Sequence, residues 1–137
     1  MRILVTDDDF ASRRILQKLL AAYGEVDVVT EGSACIEAFR VSIEEGDPYR
    51  LVFLDIVMPG MSGHEALREI RALESDWKVR PQNEARVVMT SVLEDPHNVI
   101  KAYNEGWATS YLVKPISQKK LEEELARLGF GIADRSR

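Results

Sequence analysis

Short apolar runs alternate along the chain with segments of helical periodicity, and this alternation constrains the fold more than any other feature of the sequence. The runs are rich in Val, Ile and Leu, a composition typical of strands buried in a parallel sheet. They are RILVT (2–6), VDVVT (26–30), LVFLD (51–55), RVVMT (86–90) and TSYLV (109–113). Strands that alternate with helices in this way predict an α/β fold, in which helices cover both faces of a five-stranded parallel sheet.

An amphipathic segment follows each run, and glycine, proline or a capping residue marks its ends. The helical pattern covers residues 10–22, 32–46, 64–73, 95–105 and 117–129. Residues 74–85 have no clean period and contain a proline, so we predict a loop there. The third run is the most apolar and is expected at the centre of the sheet. A chain of 137 residues suits one domain. We assign that domain to residues 1–129 and a short tail to 130–137.

Charge and composition argue against several classes of function. The net charge of −5 and the lack of a basic stripe exclude a general nucleic-acid binder. No apolar run reaches the roughly 20 residues needed to cross a bilayer. The sequence starts directly in a predicted strand, without the pattern of a secretory signal, so we expect a cytoplasmic protein with no membrane partner. Cys35 stands alone and fits a packing role better than a disulfide or metal site.

Ionisable side chains follow three of the predicted strands. The set consists of Asp7, Asp8 and Asp9 after the first strand, Asp55 at the end of the third, and Lys114 after the fifth. Ligands of open parallel sheets bind at the carboxyl ends of the strands, so these charges should converge on one pocket. Several carboxylates with one ammonium indicate a divalent cation and a phosphoryl group. Asp9 is better explained as the cap of the first helix.

Mg²⁺ is the cation that suits this cluster, because it prefers oxygen ligands and relieves repulsion between adjacent carboxylates. We predict that Asp8 and Asp55 bind it directly and that Asp7 orients a metal-bound water. The backbone carbonyl of Val57, two residues beyond Asp55, is a further predicted ligand. Asp55 could serve as a metal ligand alone, or also as a nucleophile, since a carboxylate can attack phosphorus to form an acyl phosphate.

Two more strand-end side chains could compensate the charge of a phosphoryl group. Lys114 offers a mobile ammonium, and Ser91, directly after the fourth strand, offers a hydroxyl donor. Taken singly, such a serine is usually a cap or turn residue and such a lysine a surface charge. Their joint spacing with Asp55 favours a shared site.

Four motifs occur in the order and spacing of a known family: ILVTDDDF, LVFLDIVMPGMSG, VVMTS and YLVKP. On these motifs the chain resembles the receiver domains of bacterial two-component response regulators, including the single-domain chemotaxis members, over about residues 2–128. The resemblance implies a doubly wound, flavodoxin-like sheet of strand order 2-1-3-4-5. It also implies that Asp55 accepts a phosphoryl group from a sensor histidine kinase or a phosphotransfer protein, with Mg²⁺ as cofactor.

The resemblance gives the remaining site residues their roles. It makes Asp7 and Asp8 the acidic pair, Ser91 the switch hydroxyl, Tyr111 the switch aromatic, and Lys114–Pro115 a cis peptide bond. Such a domain catalyses only its own phosphorylation and dephosphorylation. Its signal would leave through a downstream protein bound to the fourth predicted helix, the fifth strand and the last helix, from a monomer or a phosphorylation-dependent dimer. Tyr111 could instead be a static residue of an edge strand.

The sequence departs from the usual family pattern in two respects. Val92 follows Ser91 where the family usually has Ala or Gly, which would narrow the pocket. Val57 and Leu93 lie two residues beyond Asp55 and Ser91, and neither side chain can hold an attacking water. We therefore expect a long-lived acyl phosphate.

Two other functions fit parts of the sequence. Asp7 and Asp9 match the D-x-D strand end of haloacid-dehalogenase-like phosphatases, but no segment fits the cap insertion that such enzymes carry. A phosphorylation-independent interaction module of the same fold is the second alternative, although such modules usually lack one of the acidic, acceptor or lysine residues. His64 and His97 have no carboxylate at ligand spacing, and we predict that both are surface residues.

Overall fold

A five-stranded parallel sheet organises the part of the chain that the computed structural model describes, residues 1–92 and 108–132. The strands are β1 (Arg2–Thr6), β2 (Glu25–Val29), β3 (Leu51–Asp55), β4 (Arg86–Ser91) and β5 (Ser110–Val113). They lie in the order β2-β1-β3-β4-β5, and every neighbouring pair is parallel. The predicted doubly wound sheet, its strand order and the central position of β3 are therefore confirmed.

Four α-helices and a short 3₁₀ helix accompany the sheet within the described residues. They are α1 (Phe10–Leu20), α2 (Gly32–Glu44), α3 (Gly63–Asp76), the 3₁₀ helix (Pro81–Asn83) and α4 (Gln118–Arg127). The helix predicted over 95–105 lies outside the described residues. None of the described helices has the length and apolar character needed to cross a membrane.

The two faces of the sheet carry separate apolar cores, because successive side chains of a strand point in opposite directions. One core packs Leu4, Val52 and Leu54 of the sheet against Phe39 of α2 and Ile70 of α3. The other packs Ile3, Val5 and Phe53 against Leu16 of α1 and Leu121 of α4. All five residues of β3 are buried, so the strand that ends in Asp55 is held from both sides.

Helix α3 extends beyond its predicted end, and the expectation of a plain loop over 74–85 is wrong in part. The carboxylate of Glu74 is buried and accepts hydrogen bonds from the backbone N–H of Ala85 at 2.7 Å and from Arg71 at 2.7 Å. The bond from Ala85 ties the last turn of α3 to the start of β4, whereas Arg71 lies one turn before Glu74 in the same helix. Ala85 and Glu74 are 11 residues apart, so the helical period does not reveal their contact.

Side-chain caps fix the starts of three helices. Asp9 accepts a hydrogen bond from the backbone N–H of Ser12 at 3.0 Å, which confirms its role as the cap of α1. Ser62 forms a capping box with Glu65 at the start of α3, and Ser117 caps α4. Each cap is worth about 1 kcal/mol. The loops that precede α1, α3 and α4 carry Asp7 and Asp8, Val57, and Lys114 respectively, all of them predicted site residues.

Candidate functional site

The register of β1 and β3 places two of the predicted site residues side by side. Thr6 pairs with Leu54 in the parallel ladder. The next residue on each strand, Asp7 and Asp55, therefore lies at the same level at the carboxyl edge of the sheet. Both carboxylates are buried, at 0% and 5% exposure.

The register of β3, β4 and β5 adds the other two strand ends. Asp55 pairs with Thr90, and Ser91 pairs with Val113. Lys114 follows Val113 directly, and its backbone N–H donates to the carbonyl of Ser91 at 2.7 Å. Acidic, hydroxyl and ammonium groups thus meet at one edge of the sheet, as the sequence predicted.

Three carboxylates form a tight group at this edge. Asp7, Asp8 and Asp55 each offer an oxygen, and these oxygens all lie within 4.8 Å of one another. Asp8 is the exposed member and Asp7 and Asp55 are the buried ones. The group therefore opens to solvent on the side of Asp8.

Lys114 provides the cation that faces this group. Its Nζ lies 2.7 Å from Oδ2 of Asp7 and 3.3 Å from Oδ2 of Asp55. The ammonium is nearly buried, with 9% of the side chain exposed. The peptide bond between Lys114 and Pro115 is cis.

Burial and mutual charge shift the proton affinities of these groups. Burial, followed by the charge of Asp7, raises the pKa of Asp55 to about 6, against the opposing effect of Lys114. Burial alone would lower the pKa of Lys114, but its hydrogen bond to Asp7 and the charges of both aspartates outweigh burial and raise it. Near neutral pH the site therefore contains a charged lysine and a carboxylate of weakened acidity.

The donor set fits a small divalent cation. Mg²⁺ binds oxygen at about 2.0–2.1 Å in an octahedral shell roughly 4.2 Å across. Carboxylate oxygens separated by at most 4.8 Å need only a small contraction to reach that shell. Lys114 neutralises only part of the charge of three carboxylates, so the remaining negative charge favours a divalent cation.

The remaining predicted site residues differ in their exposure to solvent. Ser91 is buried at the end of β4, at 1% exposure. Tyr111 is half-buried and packs against the core on the α2–α3 face. The side chain of Val57 is 60% exposed and that of Val92 is 67% exposed. Leu93 lies outside the described residues.

The prediction that both histidines lie at the surface can be compared with the structure for one of them. The prediction that His64 is a surface residue is wrong, because it is 6% exposed in the first turn of α3. That turn starts against the backbone that follows β3, with the N–H of Gly63 donating to the carbonyl of Ile56 at 2.9 Å. His97 lies outside the described residues.

Two residues that position the acidic cluster were not identified from the sequence. The guanidinium of Arg13 donates to the backbone carbonyl of Asp7 at 3.0 Å. Gly63 brings the start of α3 against the backbone of Asp55. The sequence marks Gly63 only as the end of the glycine-rich turn MPGMSG, and the sequence around Arg13 carries no signal of its contact with Asp7.

Comparison with known proteins gives one consistent result. The family model described as "Response regulator receiver domain" matches residues 3–126. Regulatory protein VanRB of Enterococcus faecalis is 36% identical over 131 residues, which cover 93% of this chain and 53% of VanRB. Hybrid signal transduction histidine kinase L of Dictyostelium discoideum is 30% identical over 129 residues, covering 93% of this chain and 7% of the kinase. The chain thus spans about half or less of the length of these relatives.

Solved structures agree with the sequence relatives. Response regulator protein TrrA of Thermotoga maritima, crystallised in complex with Mg²⁺-BeF, superposes with a TM-score of 0.71. It is 30% identical, and the match covers 93% of this chain and 97% of TrrA. Chemotaxis protein CheY4 of Vibrio cholerae has a TM-score of 0.72 at 22% identity, with 92% and 96% of the two chains covered, and it shares the fold.

Proposed function

The chain belongs to the response regulator receiver domain family of two-component signalling, and on that premise we propose that Asp55 is its phosphoryl acceptor. One observation carries the proposal. The carboxylate at the end of β3 lies within 4.8 Å of those of Asp7 and Asp8, and the Nζ of Lys114 lies 3.3 Å from its Oδ2. The proposed nucleophile Asp55, the carboxylates of Asp7 and Asp8 that would bind the cation, and the charge-compensating ammonium of Lys114 thus lie next to one another.

The donor in this proposal is a phosphohistidine of a sensor histidine kinase or a phosphotransfer protein. An oxygen of ionised Asp55 attacks the phosphorus, and the bond between phosphorus and the imidazole nitrogen breaks. The imidazole keeps the electron pair and takes up a proton, while Asp55 becomes an acyl phosphate. Because the pKa of Asp55 is raised to about 6, its carboxylate is ionised at neutral pH and more basic than an ordinary aspartate.

The residues around Asp55 divide the other tasks. Asp7, Asp8 and Asp55, with the backbone carbonyl of Val57, would hold Mg²⁺, which supplies charge compensation for the phosphoryl oxygens when bound. The TrrA complex with Mg²⁺-BeF supports this choice of cofactor. Lys114 moves from its ion pairs with the aspartates to a phosphoryl oxygen, and Ser91 donates its hydroxyl to another.

The switch in this proposal runs from Ser91 to β5 and the last helix. Movement of Ser91 toward the phosphoryl group frees space for Tyr111, whose ring is half-buried at the edge strand. Ser110, its neighbour, donates to Glu124 of α4 at 2.5 Å. A change in β5 would therefore reach α4 through a direct side-chain bond.

The output partner is a protein that binds the face formed by β5, α4 and the helix predicted over 95–105, which lies outside the described residues. The domain would act as a monomer or as a dimer that forms on phosphorylation. We assign the domain to residues 1–129 and regard 130–137 as a tail. A cytoplasmic location follows from the proposed donor, because histidine kinases use ATP to phosphorylate their own histidine.

The apolar side chain of Val57 predicts a stable acyl phosphate. Hydrolysis requires a water positioned for in-line attack on phosphorus, with the carboxylate of Asp55 as leaving group. Val57 presents 60% of its side chain to solvent at the position from which such a water would be held, and it has no polar atom with which to hold one. The domain would therefore catalyse its own dephosphorylation poorly.

Labelling with acetyl phosphate tests the acceptor. The chain incubated with acetyl phosphate and Mg²⁺ should gain one phosphoryl group by intact-protein mass spectrometry, and chelation of Mg²⁺ should abolish the gain. Asp55→Asn should remain unlabelled, whereas the exposed Asp76→Asn should label like the parent chain. A parent chain that takes up no label would favour the phosphorylation-independent interaction module. Turnover of phosphate monoesters would favour the phosphatase.

A further inference from the structure

A second cavity, of about 610 Å³, opens at the edge of the sheet opposite the acidic cluster. It lies at the amino ends of β1 and β3, and Arg2 and Tyr49 belong to its walls. Its volume falls in the range of roughly 300–1,000 Å³ that is usual for small-molecule sites. Because Asp55 ends β3 at the other edge, this cavity has no part in the proposed phosphoryl transfer.

The inner wall of the cavity is apolar. Phe39 and Ile43 contribute from α2, Tyr49 from the segment before β3, and Val79 from the segment after α3. Phe39 and Tyr49 are almost completely buried, at 1% and 4% exposure. These two rings form the base of the wall, and the partly exposed Ile43 and Val79 offer the aliphatic surface that a ligand would contact.

The mouth of the cavity is basic, although the whole chain has a net charge of −5. Arg50, Lys78 and Arg80 are among the residues at this mouth. Across residues 1–92 and 108–132, none of the three side chains forms an ion pair. Three cations that lack a carboxylate partner among the described residues, at the entrance of one cavity, create a local field that attracts anions.

A fourth cation, Arg2, is held in a fixed position in the wall. Its guanidinium lies over the ring of Tyr49 at 4.5 Å and donates to Oδ2 of Asp27 at 3.3 Å. The hydroxyl of Tyr49 donates to the same oxygen of Asp27 at 2.6 Å. This network orders the basic and aromatic groups of the wall before any ligand arrives.

The acidic residues of the lining do not cancel this charge. Glu74 is buried and already accepts hydrogen bonds from Arg71 and the N–H of Ala85. Asp47 lies exposed at the rim. Arg2 and Glu74 each have a partner outside the lining, Asp27 and Arg71 respectively. The three cations of the mouth therefore face the single carboxylate of Asp47.

The backbone at the mouth is fixed by the end of α3. Lys78 has a φ of 56°, the left-handed conformation common directly after a helix. The N–H of Lys78 donates to the carbonyl of Ser75 at 3.0 Å, and that of Val79 donates to the carbonyl of Glu74 at 2.8 Å. These two bonds form a Schellman motif, which sets where the chain leaves the helix and enters the mouth.

We propose that this cavity binds a small amphipathic anion, with an aromatic or aliphatic body against Ile43 and Val79 and a carboxylate or phosphate group among Arg50, Lys78 and Arg80. The apolar wall would bind the body of such a molecule, and the cations of the mouth would bind its anionic group. The site is independent of phosphorylation at Asp55.

A series of naphthalene derivatives tests both halves of the proposal. 1-Naphthoate and 1-naphthyl phosphate carry the two anionic groups, while 1-naphthol and 1-naphthylmethylammonium are the neutral and cationic counterparts. In ¹H–¹⁵N NMR titrations of the whole chain, both anions should shift the amides of Ile43 and Val79, and the neutral and cationic compounds should bind at least tenfold more weakly. The tighter of the two anions identifies the preferred head group.

Two charge-matched triple variants complete the test. Arg50→Gln, Lys78→Asn and Arg80→Gln remove the three mouth cations, with asparagine at 78 because it tolerates the left-handed conformation. Arg14→Gln, Lys119→Gln and Lys120→Gln remove three exposed cations elsewhere. The first variant should bind the anions at least tenfold more weakly, and the second should bind like the parent chain. Equal binding by the two variants, no binding by the parent chain, or shifts centred on Lys114 would each overturn the proposal.

Discussion

Gly63 and Asp55 approach each other so closely that a Cβ at position 63 would lie 2.3 Å from the backbone carbonyl oxygen of Asp55. The same Cβ would lie 2.8 Å from Cα of Ile56. Both contacts involve backbone atoms, which cannot move aside without shifting the acidic cluster. The position of the proposed acceptor carboxylate therefore depends on a residue that carries no functional group.

Gly63→Ala should damage both stability and phosphorylation. Overpacking against rigid backbone costs about 1–3 kcal/mol, and the displaced Asp55 should label more slowly with acetyl phosphate. Urea denaturation and the labelling rate are the two measurements. Gly131→Ala is the matched control, because a Cβ there meets no atom within 4 Å. Parent-like labelling by Gly63→Ala would mean that α3 shifts without moving the acceptor.

Asp55→Asn should stabilise the metal-free domain in a pH-dependent manner. Folding raises the pKa of Asp55 from its ordinary value of 3.8 to about 6, so the folded chain binds more protons than the unfolded chain between these values. Stability of the parent chain therefore falls as the pH rises through this window, and the asparagine variant lacks that loss.

The advantage of Asp55→Asn should reach about 1–2 kcal/mol above pH 7, after allowance for solvent screening, and should disappear below about pH 4. Urea denaturation in EDTA across this pH range measures it. Asp76→Asn, at an exposed position, reports the effect of removing a carboxylate far from the cluster. A difference between Asp55→Asn and the parent chain that grows toward low pH would contradict the assigned direction of the pKa shift.

Lys114→Gln should weaken the fold without metal and strengthen Mg²⁺ binding. The variant leaves the buried carboxylate of Asp7 without the ammonium that now lies 2.7 Å away, which should cost about 2–3 kcal/mol. The same loss of a positive charge beside the carboxylates should tighten Mg²⁺ binding several-fold. Denaturation in EDTA and calorimetric Mg²⁺ titration measure the two effects.

The control for Lys114→Gln is Lys120→Gln, which removes an exposed ammonium from α4. It should leave both the stability and the Mg²⁺ affinity close to those of the parent chain. Weaker Mg²⁺ binding by Lys114→Gln would indicate that the lysine organises the metal site rather than competing with the metal for it.

Val57→Asn should shorten the life of the acyl phosphate by about tenfold or more, because positioning of a proton-accepting or water-holding group contributes about 10²–10⁴-fold to such reactions. The measurement is the decay of the phosphorylated mass after removal of acetyl phosphate. Val28→Thr, on the edge strand β2, serves as the control for a polar change at an exposed valine. Loss of phosphate within seconds from the parent chain would refute the proposed stability.

The strands and the charged strand ends could be predicted because they depend on local patterns. Buried parallel strands such as LVFLD are apolar throughout, and the parallel register then fixes which strand ends are neighbours. The positions of Asp7, Asp55 and Lys114 at strand ends are therefore sufficient to predict that they meet. The cis bond before Pro115 follows from the family resemblance alone.

The parts that could not be predicted depend on contacts between distant segments. Glu74, in the last turn of α3, is bonded to Ala85, 11 residues further along the chain, and His64 is buried where the start of α3 packs near Asp55. The second cavity combines Arg2, Arg50 and residues 78–80, which are far apart in sequence. No periodicity connects such positions.

The two ion pairs of Lys114 have a consequence for the proposed phosphorylation. The ammonium bridges Asp7 and Asp55, so a cation of the protein itself links the two buried carboxylates. In the proposed function, Mg²⁺ and the phosphoryl group would displace this one side chain from the bridge. Withdrawal of magnesium would then stop phosphorylation, while Lys114 would keep the two carboxylates in place.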